Sequence, residues 1–447
     1  MKLFKLSLAA VVAAGALSSV SAAPLEEAIK DIDVSGFGRY RFQSTDTKPA
    51  VGQKTHDTFH RFTLDVNFKA TLDDNFFAVI GLRYDSADIV GSHNRANSGI
   101  ANTHGGLTGV NGGQRFGNGW GGKGNDSFSV RQYYVGFTAI PYTTVLFGRQ
   151  PAGTFFTDDI VATGLKVAVN PVEGLTLAAL YFTNFEDDGD LAYLQFDPRV
   201  RGAASVSPVV NPVTGNLVPS VTYGDSAYIH QKNLWGVAAI YQNEFLDLQA
   251  WYAGLNKVAN LFAISAGANY AINDDISVRG KAQWAHTNLT GRFKDNYGRT
   301  ALNDGLVANS NFFGFDLGAS FYGFDLDAGY LTYGKKDQIS VHTLEDAGSL
   351  IKPGEELINY TSFSGKHKVW FGKAKYTYDA YSIGVDYVHD KVKNTGGNLK
   401  ANEWVVRAGY KYNDKLSFNA WYSMVTEKQD GVKDKSNRFR FDARYNF

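Results

Sequence analysis

The stretch Arg438-Phe-Arg-Phe-Asp-Ala-Arg-Tyr-Asn-Phe447 alternates charged or polar residues with aromatic or small apolar ones. Successive side chains of a β-strand point to opposite faces, so this pattern predicts a strand with one apolar face and one charged face. An apolar face on a strand needs a partner, which is either a protein core or lipid. The rest of the chain has to show which of the two applies.

The same alternation recurs along the chain in about 18 segments, which include Arg61–Lys69, Phe324–Tyr330 and Trp404–Lys411. A soluble β-sandwich also alternates, but its strands are shorter and its connections are mixed. Here so many strands place an apolar face outward that one protein core cannot cover them all. The pattern therefore favours strands that face lipid on one side and water on the other.

The connections between these segments predict the same architecture. Long connections fall at 86–127, 183–232, 286–310 and 333–366, and the intervening turns are tight and rich in Asn, Asp and Gly. The tight turns are 73–75, 141–142, 170–174, 242–244, 273–275, 322–323, 378–379 and 413–415. We expect strict alternation of short periplasmic turns with long extracellular loops, and therefore an even number of strands. The fold class predicted is an all-β transmembrane antiparallel barrel of about 18 strands.

The composition excludes several classes of protein. The 447 residues contain no Cys, so neither a disulfide scaffold nor a Cys metal site is possible. Lys plus Arg and Asp plus Glu number 44 each, so nucleic acid is not an expected partner. Mean hydropathy is −0.24, which does not fit a multi-helix membrane protein with runs of about 20 apolar residues.

The first 22 residues predict a secretory signal peptide, with Lys2 and Lys5 before a short apolar segment. We expect cleavage after Ala22, where small residues precede the cut. A lone membrane helix is the alternative, but the apolar run is short and rich in Ser and Gly. Residues 23–447 are then expected to form a single barrel domain in the outer membrane, in which Tyr445 and Phe447 form the C-terminal signal for barrel insertion.

A barrel of this size leaves a water-filled lumen, whose selectivity depends on charged wall residues and on any inward-folded loop. The candidate constriction loop is 151–164, which carries Asp158 and Asp159. Segment 128–139 has apolar residues on both faces, which indicates a bulge or a subunit contact. The arginines expected to face the loop from the wall are Arg39, Arg41, Arg61, Arg83, Arg131 and Arg149.

Motifs typical of enzymes occur here without the secondary structure that their chemistry requires. Residues 119–124 satisfy G-x-G-x-x-G, but neither a strand nor a helix flanks them. His56 and His60 lie in an extended segment rather than on one helical face. The chain contains no G-x-S-x-G motif. We therefore expect no enzymatic activity.

Several stretches resemble the major outer membrane protein porins of Campylobacter and its relatives. The resemblance runs from the signal peptide to the C-terminus and diverges in the loops at 87–126 and 190–232. The matching stretches are Pro24–Gly36, Arg39–Arg41, Phe128–Gln132, Thr157–Asp159, Thr163–Val167, Glu173–Ala179, Tyr333–Lys336, Leu344–Leu350 and Gly354–Glu356.

The resemblance implies a trimeric 18-stranded barrel that passes ions and small hydrophilic solutes. It also implies contact with outer-membrane lipid and lipopolysaccharide, and a calcium ion near the constriction with Asp158 or Asp159 as ligands. A substrate-specific channel is the nearest alternative, and a surface adhesin or structural barrel is suggested by the Gly- and Asn-rich loop at 91–125. The sign of the charge selectivity stays open, because the wall is basic and the loops are acidic.

Overall fold

The computed structural model describes residues 32–88, 126–186, 199–200, 204–210, 217–223, 227–228, 232–291, 293–294, 307–394 and 397–447. The expected signal peptide at 1–22 and the Gly-rich loop at 91–125 lie outside these residues.

Strands account for most of the described chain. They are β1 (Ile32–Lys48), β2 (Thr55–Thr71), β3 (Phe76–Asp88), β4 (Asp126–Phe137), β5 (Thr143–Pro151), β6 (Val161–Val172), β7 (Leu175–Phe185), β8 (Arg199–Val200), β9 (Ala204–Val210), β10 (Leu217–Tyr223), β11 (Ala227–Tyr228), β12 (Leu234–Gln242), β13 (Leu246–Leu255), β14 (Ala259–Ala271), β15 (Ile276–Leu289), β16 (Ser310–Phe321), β17 (Phe324–Ser340), β18 (Phe363–Tyr378), β19 (Tyr381–Asn394), β20 (Gly397–Lys411), β21 (Leu416–Gln429) and β22 (Val432–Asn446).

Eighteen of these strands form one antiparallel sheet that closes on itself, which confirms the predicted fold class. The sheet closes where β1 pairs with β22, and Gly36 and Phe447 exchange backbone hydrogen bonds of 2.9 and 3.0 Å at this seam. The four short strands β8–β11 pair only with one another, within the connection from β7 to β12. Closure removes the sheet edges, which lipid could not satisfy with hydrogen bonds.

The turns at the end of the barrel that carries both termini are all short, as expected. In the turn between β16 and β17, Tyr322 and Gly323 both have positive φ, of 48° and 85°. Positive φ at both positions is the geometry of a type I′ hairpin turn. A Cβ atom at Gly323 would lie 2.6 Å from the carbonyl oxygen of Thr377, so this position requires glycine.

The expectation of strictly alternating lengths was wrong at the opposite end. Connections 256–258, 395–396 and 430–431 are only two or three residues long, although they lie at the loop end of the barrel. A two-residue hairpin can join antiparallel strands at either end of the barrel, so the fold itself does not require long connections at the loop end. The connections between β5 and β6 and between β17 and β18 are longer, and both enter the lumen.

The outward face is apolar and aromatic, and the large side chains on it are exposed to the surroundings of the barrel. Examples are Trp370 at 57%, Ile383 at 61% and Leu317 at 61% exposure. Tyr445 and Phe447 of the expected C-terminal signal lie on this face, at 44% and 37%. No helix in the described ranges is long and apolar enough to cross a membrane.

The hydrophobic core lies inside the barrel and on one side of it. Its members come from strands β6, β7 and β12–β19, and from the connections 152–160, 256–258, 290–309 and 341–362. Strands β1–β4 and β20–β22 contribute no member to this cluster. One side of the lumen is therefore packed like a protein interior, and the other side is lined by charged residues.

Candidate functional site

The first four predicted arginines lie on the charged side of the lumen, and three of them form ion pairs across neighbouring strands. Arg41 binds Asp442 with an Nε–Oδ1 distance of 2.6 Å. Arg61 forms an ion pair with Asp85, which is 2% exposed. Arg83 lies 2.9 Å from Asp65, and Arg39 stands beside them on β1, opposite Arg444 of β22.

Arg131 faces the lumen because β4 contains a β-bulge. The pairing of β3 with β4 runs from Gly81–Gln132 to Leu82–Val130 and passes over Arg131. Two consecutive residues therefore point inward: Arg131, and Gln132, whose amide donates to Asn67 at 3.2 Å. The bulge explains the apolar residues on both faces of segment 128–139.

The connection between β5 and β6 folds into the barrel. Its core consists of Phe155, Phe156 and Ile160, each 1% exposed. Strand β6 already begins at Val161, so the inward loop is 152–160 and is shorter than the 151–164 expected from the sequence. Asp158 and Asp159 are exposed at its tip, where their carboxylates face the water of the lumen.

Asp159 connects this loop tip to the arginines of the wall. Its carboxylate lies 3.3 Å from Arg131 and 3.7 Å from Arg83, and Arg131 also donates 2.7 Å to the Asp159 carbonyl oxygen. Arg131 additionally lies 3.1 Å from Glu186 and 3.6 Å from Asp65. Arg131 is thus the cation that three carboxylates share.

The two loop aspartates have opposite pKa shifts. Desolvation, reinforced by Asp159 and Asp346, raises the pKa of Asp158 above its usual value. Desolvation would also raise the pKa of Asp159, but Arg131 and Arg83 outweigh it and hold that pKa below its usual value. Asp159 is therefore firmly anionic, and Asp158 is the carboxylate that gains a proton first.

Arg149 is buried in the barrel wall and is not exposed to the open lumen, where a constriction residue was expected. It is 7% exposed, and its Nε donates 3.1 Å to the carbonyl oxygen of Arg131. Gly148, with φ of 125°, precedes it. Arg149 therefore supports the backbone of the β4 bulge and does not line the open lumen.

A second connection, residues 341–362, also folds into the lumen, which was not predicted from the sequence. Its residues 344–349 are hydrogen-bonded to the first loop: the Leu344 amide donates 2.7 Å to the Phe156 carbonyl, and the Ser349 amide donates 2.8 Å to that of Phe155. Glu345 accepts from the amides of Asp158 and Ile160, both at 2.9 Å. The two loops form one body, which we call the plug (152–160 and 341–362).

The plug is also anchored to β20 and β22. Glu403, which is fully buried, accepts hydrogen bonds from the amides of residues 355, 356 and 357 at 3.0, 3.0 and 3.2 Å. Glu355 pairs with Arg407, and Glu356 pairs with Arg438 at 2.6 Å. The alternation of Glu403 with outward-facing Trp404 indicates that Glu403 faces the lumen, but it cannot identify loop partners more than 40 residues away.

The base of the second loop is held by a buried histidine. His342 is 1% exposed, and its ring nitrogens lie 3.2 Å from Thr287 Oγ1 and 3.1 Å from Ser310 Oγ. Burial, with a smaller contribution from the nearby His286, lowers the pKa of His342 to about 3. On the other side of Tyr333, His367 is paired with Asp390 at 2.6 Å.

Between the two anchoring points of the plug, the wall is formed by β22, β1 and β2 and is strongly basic. Arg39 pairs in register with Arg444, and Arg41 with Arg61. Arg440 donates 2.9 Å to Gln43 and stacks 4.9 Å from the ring of Trp421. Like charges directly opposite each other destabilise a sheet unless anions or water compensate them, so this wall is suited to a wet, ion-accessible passage.

Comparison with known proteins assigns the chain to a family. In structure it resembles OccAB2 of Acinetobacter baumannii (TM-score 0.60, 14% identity, 93% of this chain and 98% of that chain). It also resembles OccK9 (OpdG) of Pseudomonas aeruginosa (TM-score 0.62, 14% identity, 94% and 100%). At this identity the likeness concerns the fold alone, and no curated protein matches the sequence. The family model described as Campylobacter major outer membrane protein matches residues 1–447, so the chain belongs to that family.

Proposed function

We propose that solutes cross this barrel between the acidic edge of the plug and the arginine wall of β22, β1 and β2. The family and the 18-stranded barrel make the protein an outer-membrane porin for small solutes, and they favour a channel over an enzyme. The proposed path rests on the position of the hydrophobic core. The core fills the lumen next to β6, β7 and β12–β19 and leaves the charged side open. Opposed fixed charges across a narrow passage favour ions and polar solutes over apolar ones.

Reconstitution in a planar bilayer tests the general-porin function. The expected result is large, stepwise openings whose current is linear with voltage and does not saturate with solute concentration. Current that saturates, or that one solute blocks, would identify a substrate-specific channel instead. The adhesin alternative depends on loop 91–125, which lies outside the described residues, and no observation favours it.

Replacing Asp158 and Asp159 with Asn is expected to shift the reversal potential in a salt gradient toward anion selectivity. Both carboxylates are exposed at the plug tip, so their removal leaves the arginine wall with less compensation. The matched control replaces Asp274 and Asp275, which are exposed in a short turn, with Asn. A reversal potential that moves no further in the loop variant than in the control would remove both aspartates from the constriction.

We also propose a single barrel domain over residues 23–447 that assembles as a homotrimer and contacts outer-membrane lipid. The trimer rests on the resemblance described above, and a native mass spectrum of the detergent-solubilised protein tests it. Three times the mass of one mature chain is the expected species. A single-chain species with full conductance would reject the trimer as a requirement for the channel.

Calcium near Asp158 and Asp159 stays a prediction from the resemblance. Within the described residues, no group of three or more His, Asp or Glu side chains is arranged to hold a metal ion. Asp159 instead faces Arg131 and Arg83, so a calcium ion would have to displace an arginine. Conductance with and without EGTA, measured for the wild type and for the double Asn variant, tests this prediction. An effect of EGTA on the wild type alone would support calcium binding at these aspartates.

The buried His342 predicts a pH dependence of the plug. Burial in the anchored loop lowers the pKa of His342 from about 6.5 to about 3. Between these pH values the ring is protonated when the loop is released and neutral when it is anchored. The free energy of anchoring therefore falls by about 1.4 kcal/mol for each pH unit as the pH is lowered. Single-channel recordings at about pH 5 should therefore show more high-conductance excursions than recordings at about pH 7.5. His342→Asn removes the titrating ring, so its excursions should not depend on pH in this range. Equal excursions at both pH values in the wild type would contradict the prediction.

A further inference from the structure

Five exposed lysines form a continuous row on the outward face of the barrel, at the loop ends of strands β18–β22. Each lysine stands directly opposite the next in the sheet register, in the order Lys368, Lys391, Lys400, Lys428 and Lys433. Neighbouring strands lie about 4.8 Å apart, so the row extends over roughly 19 Å. We call these five residues the lysine row.

More lysines extend the row on both sides. Lys366 stands opposite Lys393, two residues beyond the pair of Lys368 and Lys391 and on the same face. Lys435 of β22 stands opposite Lys48 of β1. All four are exposed. The positive charge therefore covers six neighbouring strands of the barrel, from β18 through β22 to β1.

Among the residues that the structure describes, no acidic side chain forms an ion pair with the row. The described ion pairs of lysine are those of Lys352 with Asp346 and Lys411 with Asp414, so none involves the lysine row. Of the nearby acids, Asp46 pairs with His56 at 2.8 Å, and Asp434 accepts a hydrogen bond from the backbone amide of Ala50 at 2.7 Å. Like charges placed directly opposite each other destabilise a sheet, so an external anion bound to the row would stabilise this part of the barrel.

The row lies next to the lipid-facing aromatic residues. Trp370 follows Lys368 by two residues on β18, and Trp404 follows Lys400 by four residues on β20, with exposures of 57% and 48%. At about 3.3 Å per residue these rings lie roughly 7 and 13 Å from the lysines along their strands. Aromatic residues of barrels mark the level of the lipid head groups, so the row lies at or just beyond that level.

The other end of the barrel has the opposite charge. The turns there carry Asp73, Asp74, Glu173, Glu244, Asp274, Asp275, Asp379 and Asp414. Lys415 is a basic residue among them. The lysine row is thus a feature of one leaflet only, and an anion that occupies it belongs to the leaflet at the loop end.

We propose that the lysine row binds the phosphate groups of the outer-leaflet glycolipid, lipopolysaccharide. The ammonium groups would take the place of the divalent cations that otherwise bridge neighbouring lipid phosphates. Lysines near an anionic membrane surface each add to its attraction, so five in register form a strong site for a lipid with more than one phosphate. A second copy of this chain is a poorer occupant, because two such rows would repel each other.

The test measures lipid binding to the full-length, detergent-solubilised protein by native mass spectrometry. The probe is diphosphorylated lipid A, compared with the same lipid after enzymatic removal of both phosphates. The test variant is Lys391→Gln, Lys400→Gln and Lys428→Gln, the centre of the row. The matched control is Lys257→Gln, Lys411→Gln and Lys415→Gln, which removes three exposed lysines away from the row.

We expect the test variant to bind diphosphorylated lipid A at least tenfold more weakly than the wild type and the control, while its conductance stays unchanged. Removal of the phosphates should weaken binding to the wild type by a similar factor. Equal affinity of both lipids, or equal losses in both variants, would overturn the proposal. A variant that changes oligomeric state without changing lipid binding would assign the row to contacts between copies and also overturn it. Unchanged conductance separates these outcomes from a failure of the proposed porin function.

Discussion

Replacing residues 345–358 with a short glycine-serine linker is expected to raise the single-channel conductance severalfold. This segment carries the plug's contacts with both sides of the lumen: Glu345 binds the first loop, and Glu355 and Glu356 reach Arg407 and Arg438. Without it, the passage next to the arginine wall would widen into the space the second loop occupies. Conductance in a planar bilayer is the measurement.

The matched control shortens the connection at 49–54, which is exposed and contributes no residue to the core. Its conductance should equal that of the wild type. The Glu403→Ala variant provides a milder version of the same change, because it removes the acceptor of three loop amides and should give noisier, intermittently larger currents. A deletion variant that folds and conducts like the wild type would show that the second loop does not limit the passage.

The second large effect is expected from Arg131→Leu. The Arg131 side chain is 8% exposed, and the loss of its charge leaves Asp65, which is 4% exposed, without one of its cations. Asp65 keeps Arg83 at 2.9 Å, so the cost in stability should stay below the roughly 3–5 kcal/mol lost when a buried charge loses its sole partner. Asp159 is 66% exposed and adds little to that cost, but its freed charge should make the channel markedly more cation-selective.

Reversal potential and thermal unfolding are the two measurements for this variant. Arg131→Lys is the control, since it keeps the charge and loses the planar group that contacts Asp159 and Glu186 together. It should retain most of the selectivity and part of the stability. A Leu variant with wild-type selectivity would show that other charges determine selectivity, namely those on the wall around Arg39 and Arg41.

The strands and their faces could be predicted from the sequence because alternation is a local property. The residues around Trp404 and Phe441 show the pattern without knowledge of any partner, and the number of strands followed from it. The bulge at Arg131 was visible only as an irregularity, since the extra residue breaks the alternation without revealing which side chain turns inward. Arg149 was placed on the lumen wall by the same alternation, and the positive φ of Gly148 is a conformation that alternation does not report.

The plug could be predicted only in part. The sequence predicts 151–164 as an inward loop because it carries Asp158 and Asp159, and the structure places 152–160 of it in the lumen. Loop 341–362 is recognisable as a constriction element only through contacts such as Glu403 with the amides of 355–357, which join residues distant in sequence. Nothing local distinguishes such a loop from an extracellular one, because the apolar residues that hold it inside are spread over many strands.

The one-sided core also means that this channel carries its own record of local unfolding. Most soluble domains open and close small cooperative units without any visible signal. Here each release of the plug from the packed side of the lumen would change the current through the same molecule. The ratio of time spent in the two current levels is then an equilibrium constant for one folding unit, measured at rest, without denaturant and one molecule at a time.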